Sequence, residues 1–449
     1  MVETQSRQFS RRQFLARTAA ASAFSIVPSH VLAQSGATPP SEKLNIAGVG
    51  FGGKGYSDLT SVEKDVNIVA LCDVDWRAGR RAFQRYPKAK KFKDFRVMLD
   101  EMPEIDGVIV ATPDHTHAVI SMAAIKCGKH VYTQKPLTHT VYEARALAKA
   151  ARKHKVATQM GNQGQAEDTY RRLREKIWDG AIGPVREVHV WTDRPNKGLT
   201  GMYWPQGVGR PGETPPVPRD LDWDLFLGPA PVRPYNPAYH TFKWRGWWDF
   251  GTGALGDIGC HSLDPVFRAL KLEHPLSVQG TSTLINKETY PSGSMATYEF
   301  PARGDMPPVT LTWYDGGLRP PRPVEIRDGY PMGAGGTMYV GDKGKILNSR
   351  IITDSLKGYK APAPYIPSSP GHYQEWLLAC KGGEPAGANY DWAGTLTEVV
   401  LLGNVALRQE LRTKLDGHKL LWDPKKFAFS NVPEANQFLH TEYREGWTL

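Results

Sequence analysis

The chain has only four cysteines, Cys72, Cys127, Cys260 and Cys380, far apart and with neither a CxxC pair nor a metal-finger spacing. An even count permits disulfides, but Cys72 and Cys127 sit in apolar segments that read as a strand and a helix, so buried free thiols are expected. No apolar run reaches the roughly 18 residues of a transmembrane helix, and no membrane span is expected. Basic residues are not concentrated either. The formal charge of +10 comes from 56 Lys+Arg against 46 Asp+Glu. Its densest run, Lys88, Lys90, Lys91 and Lys93, carries no nucleic-acid fold signature, so it reads as solvated surface and no nucleic-acid partner is expected. There is no internal repeat and no coiled coil. Gly (44) and Pro (35) fall short of a disordered or collagen-like composition. What is present is length: 449 residues exceed one compact core and suggest about two to three domains.

Residues 1–33 read as an export signal rather than as fold. Ser10-Arg11-Arg12-Gln13-Phe14-Leu15 matches the twin-arginine consensus, lacking only the usual following Lys, which is Ala16 here. A mildly apolar stretch, Ala19 to Val27, follows, and Val31-Leu32-Ala33 offers small residues for cleavage. The expected location is therefore periplasmic or extracellular, reached through the twin-arginine machinery. Removing the signal lowers the charge from +10 to +7, because Arg7, Arg11, Arg12, Arg17 and Glu3 leave with it. Residues 34–42 read as a linker.

From Lys43 the pattern becomes regular. Leu44–Val49 reads as a buried strand running into Gly50-Phe51-Gly52-Gly53-Lys54-Gly55, a GxGxxG turn between strand and helix. Gly50 permits the tight turn, Gly52 lets backbone approach a pyrophosphate, and Gly55 allows close helix–strand packing. The helix start offers free N–H groups to phosphates. A second strand, Asn67–Cys72, ends at Asp73, whose carboxylate can accept both adenosine ribose hydroxyls. That favours NAD over NADP, although Arg77 and Arg80 could still accommodate a 2′-phosphate. Further strands are expected at 107–111, 130–133 and 155–160, with helices at Ala118–Cys127 and Thr140–Lys153. The alternation means a doubly wound parallel sheet over residues 43–165. Ligands bind such sheets at the C-terminal strand ends. There lie Thr112, Pro113, His115 and His117 of the Thr-Pro-Asp-His-Thr-His run, then Gln134 and Lys135, then Asn162. With Gly50, Phe51, Gly52, Gly53, Gly55 and Asp73 these are the candidate cofactor contacts.

Three features together resemble the glucose–fructose oxidoreductase and inositol dehydrogenase (Gfo/Idh/MocA) family: Gly50–Gly55 with Asp73, residues 112–117, and Lys135-Pro136. The resemblance covers essentially residues 43–449. The family hallmark is Glu-Lys-Pro, and this chain has Gln134 in place of the Glu, as does an exported bacterial branch it resembles; the change removes a carboxylate that could tune the lysine. The resemblance implies that Lys135 lies by the nicotinamide ring and the substrate hydroxyl, where its ammonium can stabilise a developing alkoxide. An X-Pro bond also makes a cis peptide affordable at Lys135-Pro136.

A second site is Gly253-Ala254-Leu255-Gly256-Asp257-Ile258-Gly259-Cys260-His261. Asp257 and His261, four apart, share one face of a helix. This matches the family's Asp-x-x-x-His, in which the histidine is the acid–base toward the substrate hydroxyl and Asp257 would orient it or bind a neighbouring hydroxyl. The pair could also be half a metal site, but no HExxH, Cys pair or carboxylate cluster completes it, and no metal is expected. Just before lies Phe242-Lys243-Trp244-Arg245-Gly246-Trp247-Trp248. Arg245, Trp247 and Trp248, with Asp257 and His261, are the candidate substrate contacts, the rings stacking on a sugar. The Pro-rich segment 194–241, with Tyr203, Trp204, Trp223 and Tyr235, reads as a wall of the cleft.

Residues 166–449 read as an α+β domain with an open, mainly antiparallel sheet. Its strands are expected at 185–191, 276–285, 294–300, 309–314, 336–340 and 345–347, around one principal helix, Asp257–Leu270. Late helices at 373–379 and 393–411 are placed back near the first domain. The resemblance adds a homodimer or homotetramer packed through the sheet. The leading expectation is an oxidoreductase moving hydride between tightly held NAD(P) and a hydroxyl carbon of a sugar or cyclitol. Alternatives are an NAD-dependent, redox-assisted glycoside hydrolase or lyase, and a non-catalytic sugar- or dinucleotide-binding protein.

Overall fold

The computed structural model describes residues 42–327, 329–415 and 418–449. The expected export signal, residues 1–33, and nearly all of the expected linker lie outside the described residues. Six strands, β1 (Leu44–Val49), β2 (Val66–Cys72), β3 (Lys90–Phe92), β4 (Gly107–Val110), β5 (His130–Thr133) and β6 (Thr158–Met160), form a parallel sheet ordered β3-β2-β1-β4-β5-β6. Their interleaved helices are α1 (Lys54–Val62), α2 (Trp76–Arg85), α3 (Phe95–Glu101), α4 (Asp114–Lys126) and α5 (Val141–His154). β4 is buried at all four positions, as a parallel strand covered on both faces must be. The strand order reverses between β1 and β4, which opens a crevice at their C-terminal ends.

Two residues of the lysine run noted above, Lys90 and Lys91, fall in edge strand β3. Lys90 and Lys91 are exposed along the free edge of the sheet, where charge discourages pairing with another chain.

After α6 (Asp168–Trp178), a nine-stranded sheet is built from β7 (Val185–Trp191), β8 (Ser277–Ser282), β9 (Ser294–Phe300), β10 (Val309–Tyr314), β11 (Gly336–Gly341), β12 (Lys345–Leu347) and β13 (Arg350–Ile351), together with β14 (Leu420–Asp423) and β15 (Ala428–Phe429). Its order is β13-β12-β11-β7-β10-β9-β8-β14-β15. Only β7 and β10 pair in parallel; the other pairs are antiparallel. β9 alternates buried and half-buried residues, the signature of a sheet with one covered face. Helices α7 (Trp223–Leu227) and α8 (Gly253–Leu270) precede β8; α9 (His372–Cys380), α10 (Tyr390–Ala406) and α11 (Gln409–Leu415) follow β13. α10 packs on α5 as well as on α8 and β8, so one apolar core runs through both sheets.

Four local expectations are revised. α4 starts at Asp114, four residues early, because Pro113 sets an extended φ/ψ of −60°/151° and Asp114 suits the first turn. α8 likewise starts at Gly253. The last parallel strand is only Thr158–Met160, because Lys155 ends α5 in the left-handed conformation (φ 53°). Cys127 caps the C-terminus of α4 and is exposed, while Cys72 and Cys260 are buried; all four thiols are free. Among the described residues no helix is long and apolar enough to cross a membrane.

Candidate active site

A cleft of about 620 Å³ opens where β1 and β4 diverge. The glycine turn forms its floor. Gly50 has φ +77°, and a Cβ there would meet the Thr112 backbone N at 2.8 Å. At Gly55 a Cβ would stand 2.0 Å from Gly50 O, so only glycine lets α1 approach β1 this closely. Gly53 is the N-cap of α1 without any side-chain cap, and nothing lies within 4 Å of where its Cβ would be. Gly50, Gly52 and Gly53 line the cleft. Phe51 contributes backbone only: its ring is buried against Phe83, while its N–H donates to Asp73 Oδ2 at 3.0 Å. Asp73 Oδ1 accepts from Asp75 N at 2.9 Å. Burial pushes the Asp73 carboxyl up to about 6, against the pull of these two N–H donors. The N–H donors of an uncapped helix start and bare glycine backbone, with a carboxylate acceptor at the end of β2, are what a dinucleotide requires, and these residues fit one.

Beyond β5 and α8 the ionisable groups converge. The Lys135–Pro136 bond is cis. Lys135 Nζ donates to Asp257 O at 2.6 Å and Asp257 Oδ1 at 2.8 Å, and Arg245 Nε donates to the same Oδ1 at 2.9 Å. Burial disfavours the Asp257 anion, but the Lys135 and Arg245 cations override it and hold the carboxyl well below the usual range. One turn on, His261 Nδ1 donates to Asn162 Oδ1 at 2.8 Å. That bond assigns the proton to Nδ1 and leaves the Nε2 lone pair free; among the described residues Nε2 has no partner. Burial, and then the nearby Lys135 charge, push His261 down to about 3, so the ring is neutral. Asn162 Nδ2 is buried without a partner among the described residues, an orphaned donor beside the cleft-lining Gln163.

Gln134 is buried, and its Nε2 donates to Asp58 Oδ2 at 2.7 Å. Asp58, on α1, also accepts from Lys54 Nζ and Tyr373 OH, each at 2.6 Å. A carboxylate absent from position 134 is thus present on the facing helix.

The histidines of the α4 motif act as struts. His117 lines the cleft and spans Pro136 O (2.8 Å) and Thr112 O (2.9 Å), tying the lysine loop to the β4 loop. His115 lies behind the cleft, spanning Phe226 O (2.9 Å) and Phe250 O (3.2 Å). Burial pushes His115 down to about 3 and His117 to about 4. Each ring is therefore neutral and donates its one N–H to one of its two carbonyls, the tautomer deciding which. The aromatic expectation is also redistributed. Trp247 is buried against Tyr239, and Trp248 packs at a tilt against Tyr290 with Arg408 at 4.4 Å, both off the cleft. A 3₁₀ turn, Lys243–Gly246, sends Phe242, Trp244 and Arg245 into the cleft instead, the guanidinium 4.0 Å from the Phe242 ring and 4.2 Å from Trp244. Tyr203 and Trp204 join this wall, as expected of the 194–241 segment.

Asp114 escaped the sequence reasoning although it sits inside the motif. It is buried at the start of α4, lines the cleft, and accepts from Thr252 Oγ1 at 2.6 Å. Burial pushes its carboxyl up to about 7, against Thr252, Arg245 and Lys135. Trp447 also lines the cleft, and nothing in its local sequence signals that. Among the described residues no group of three or more His, Cys, Asp or Glu side chains could hold a metal ion.

Comparison with known proteins bears on the same residues. Residues 43–162 match a family model described as oxidoreductase family, NAD-binding Rossmann fold. Residues 190–290 match its companion, oxidoreductase family, C-terminal alpha/beta domain. An inositol 2-dehydrogenase/D-chiro-inositol 3-dehydrogenase of Lacticaseibacillus casei is 30% identical over 154 residues, 33% of this chain and 44% of the relative. A levoglucosan dehydrogenase of Pseudarthrobacter phenanthrenivorans is 29% identical over 138 residues, 30% of this chain and 35% of the relative. The chain thus spans under half the length of the curated relatives it matches. The crystal structure of the WlbA dehydrogenase from Bordetella pertussis, in complex with NADH and UDP-GlcNAcA, has a TM-score of 0.58 at 17% identity and covers 85% of this chain and 99% of that one, a likeness of fold.

Proposed function

This chain belongs to the Gfo/Idh/MocA oxidoreductase family, and from that premise we propose that it moves hydride between NAD and a hydroxyl-bearing carbon of a sugar, cyclitol or sugar derivative. The observation that carries the reading is the Lys135–Asp257–His261 cluster, set in the cleft whose floor is the glycine turn. NAD, when bound, supplies the hydride acceptor. Gly50, Gly52, Gly53 and the start of α1 would hold its pyrophosphate, and Asp73 its adenosine ribose.

The residues then divide the remaining work. Lys135, pinned by two Asp257 oxygens, presents a fixed ammonium to the oxygen where negative charge develops. Asp257, kept ionised, holds that ammonium in place. His261, neutral with Nδ1–H committed to Asn162, offers Nε2 as the proton acceptor for the substrate hydroxyl. Arg245 and the Phe242, Trp244 and Trp204 rings orient the substrate; stacked rings suit the apolar faces of a sugar.

The twin-arginine-like residues 10–15 support a reading in which the protein is exported folded with its cofactor aboard. Outside the cytoplasm no dinucleotide pool replaces a lost cofactor, so NAD would be held through turnover. The test is a panel of sugars and cyclitols added to the NAD-loaded protein, following absorbance of the bound reduced dinucleotide. Lys135→Ala and His261→Ala should each lower kcat/KM by about 10²- to 10⁴-fold with NAD still bound. Turnover that survives both substitutions refutes the assignment.

A further inference from the structure

We propose that Trp447, with the 440–449 segment carrying it, is a cofactor-binding element that closes the adenine end of the cleft and slows release of the dinucleotide. The inference rests on the NAD reading above and names a part of the site outside both sheets.

Past the Asp73 carboxylate the cleft wall gains the apolar and aromatic side chains of Val74, Phe95, Ile120, Leu225, Phe226 and Trp447, rimmed by Asp75, Lys93 and Asp94. An apolar chamber beside a ribose-binding carboxylate has the chemistry of an adenine subsite, because a purine is a flat ring system that gains by stacking and by leaving water. These six residues come from distant parts of the chain, and hydrogen bonds clamp the parts together. Asp222 N donates to Val74 O at 2.9 Å and Trp76 N to Asp220 O at 3.4 Å, so the segment leading into α7 is laid onto the β2 loop. Arg444 binds α7 in turn, donating to Asp224 Oδ1 at 2.6 Å and Asp224 O at 2.7 Å. Upstream, Tyr443 OH donates to Glu143 on α5. Downstream, Leu449 O accepts from Lys126 Nζ at 2.9 Å, at the far end of α4.

Trp447 therefore sits on a strap anchored on both sides. Its ring lies 6.1 Å from that of Phe95 and 4.7 Å from the Arg96 guanidinium, itself fixed by Asp94. Trp447 is nevertheless only partly buried. A large ring tethered this firmly, yet left partly open over a cleft, is suited to cover a ligand. An adenine beneath it would leave only after the Arg444, Tyr443 and Lys126 contacts yield or the ring swings away. The effect should appear chiefly in the dissociation rate.

The experiment uses the full chain loaded with NAD, then chased with isotopically labelled NAD to follow exchange of the bound cofactor. Trp447→Ala should exchange about tenfold or more faster than wild type, the scale of one lost base–aromatic stack. Trp447→Phe should stay close to wild type, and Arg444→Ala, which leaves the ring but cuts its tether, should fall between. Circular dichroism and Tm verify that each variant is folded, and Trp447→Phe together with Arg444→Ala decides the matter if Trp447→Ala does not fold. Exchange at the wild-type rate in folded Trp447→Ala, or in folded Arg444→Ala if the former fails to fold, overturns the proposal. A wild-type protein that takes up no NAD at all overturns the cofactor reading and the strap with it; one that binds NAD and exchanges it equally fast with or without Trp447 overturns the strap alone.

Discussion

Replacing Gln134 by Glu would recreate the family's Glu-Lys-Pro, and the structure says this should harm the protein in a pH-dependent way. Gln134 Nε2 is a donor 2.7 Å from Asp58 Oδ2, and both residues are buried. In Gln134→Glu the donor becomes an acceptor, and two carboxyl groups face each other at that separation. At an effective dielectric constant of about 20, two unit charges about 2.7 Å apart repel by about 6 kcal/mol. Lys54 and Tyr373, on the other oxygen of Asp58, offset part of this. The relief is for the introduced carboxyl to keep its proton. The folded protein then binds a proton that the unfolded chain releases above about pH 4.3. Stability is consequently lost as pH rises through that window, by about 1.4 kcal/mol per pH unit relative to wild type, and regained on acidification. The assay is calorimetric Tm of both proteins at half-unit steps from pH 5 to 8. The Tm deficit of Gln134→Glu should be small at pH 5 and reach several degrees by pH 7. Asp58→Asn in the same background should flatten the slope by removing the opposing charge. A deficit independent of pH, or one that Asp58→Asn does not relieve, refutes the reasoning.

Two further outcomes follow from the cleft. Asp114, pushed up to about 7 by burial, should impose a limb near pH 7 on kcat/KM that disappears in Asp114→Asn; a pH–rate profile with the limb intact would assign it elsewhere. Gly55→Ala places a Cβ 2.0 Å from the Gly50 carbonyl and should cost about 1–3 kcal/mol or more. An unchanged urea midpoint would show that α1 can shift away from β1 freely.

Much of the first sheet was legible because its determinants are local. Parallel strands buried on both faces are short apolar runs, and Gly50, Gly55 and Asp73 are each demanded by backbone geometry or by a ligand a few residues away. The second sheet was legible in six of its nine strands, through alternation as in Ser294–Phe300, but not in the short β13, β14 and β15. Its order, with β7 between β10 and β11, was not, because register there depends on residues more than a hundred positions apart. In the site, Lys135 was reached through the family resemblance its Lys-Pro pair carries, and Asp257 and His261 through their four-residue spacing and the matching Asp-x-x-x-His. The aromatic contacts were misassigned because the phase of one 3₁₀ turn decides whether Trp244 or Trp247 faces the cleft, and composition does not encode phase. Asp114 was overlooked for a different reason. Its two flanking histidines looked like the chemistry, yet both have their ring nitrogens taken up by backbone carbonyls, which leaves the carboxyl between Thr252 and the cleft as the group of that motif able to change charge near neutral pH.

The position of Gln134 shows how the local and distant parts constrain each other. Asp58 is on α1 and Tyr373 on α9, so the charge balance around the lysine loop is set jointly by the glycine-turn helix and a helix more than 300 residues later. With Asp58 already an acceptor for Lys54 and Tyr373, position 134 must supply a donor, and glutamine is the residue that keeps the length of glutamate while providing one. Gln134 thus fits the acceptor that Asp58 presents to it. A carboxylate stands on α1 at Asp58, facing Gln134, and Lys135 has Asp257 as the anion that holds it.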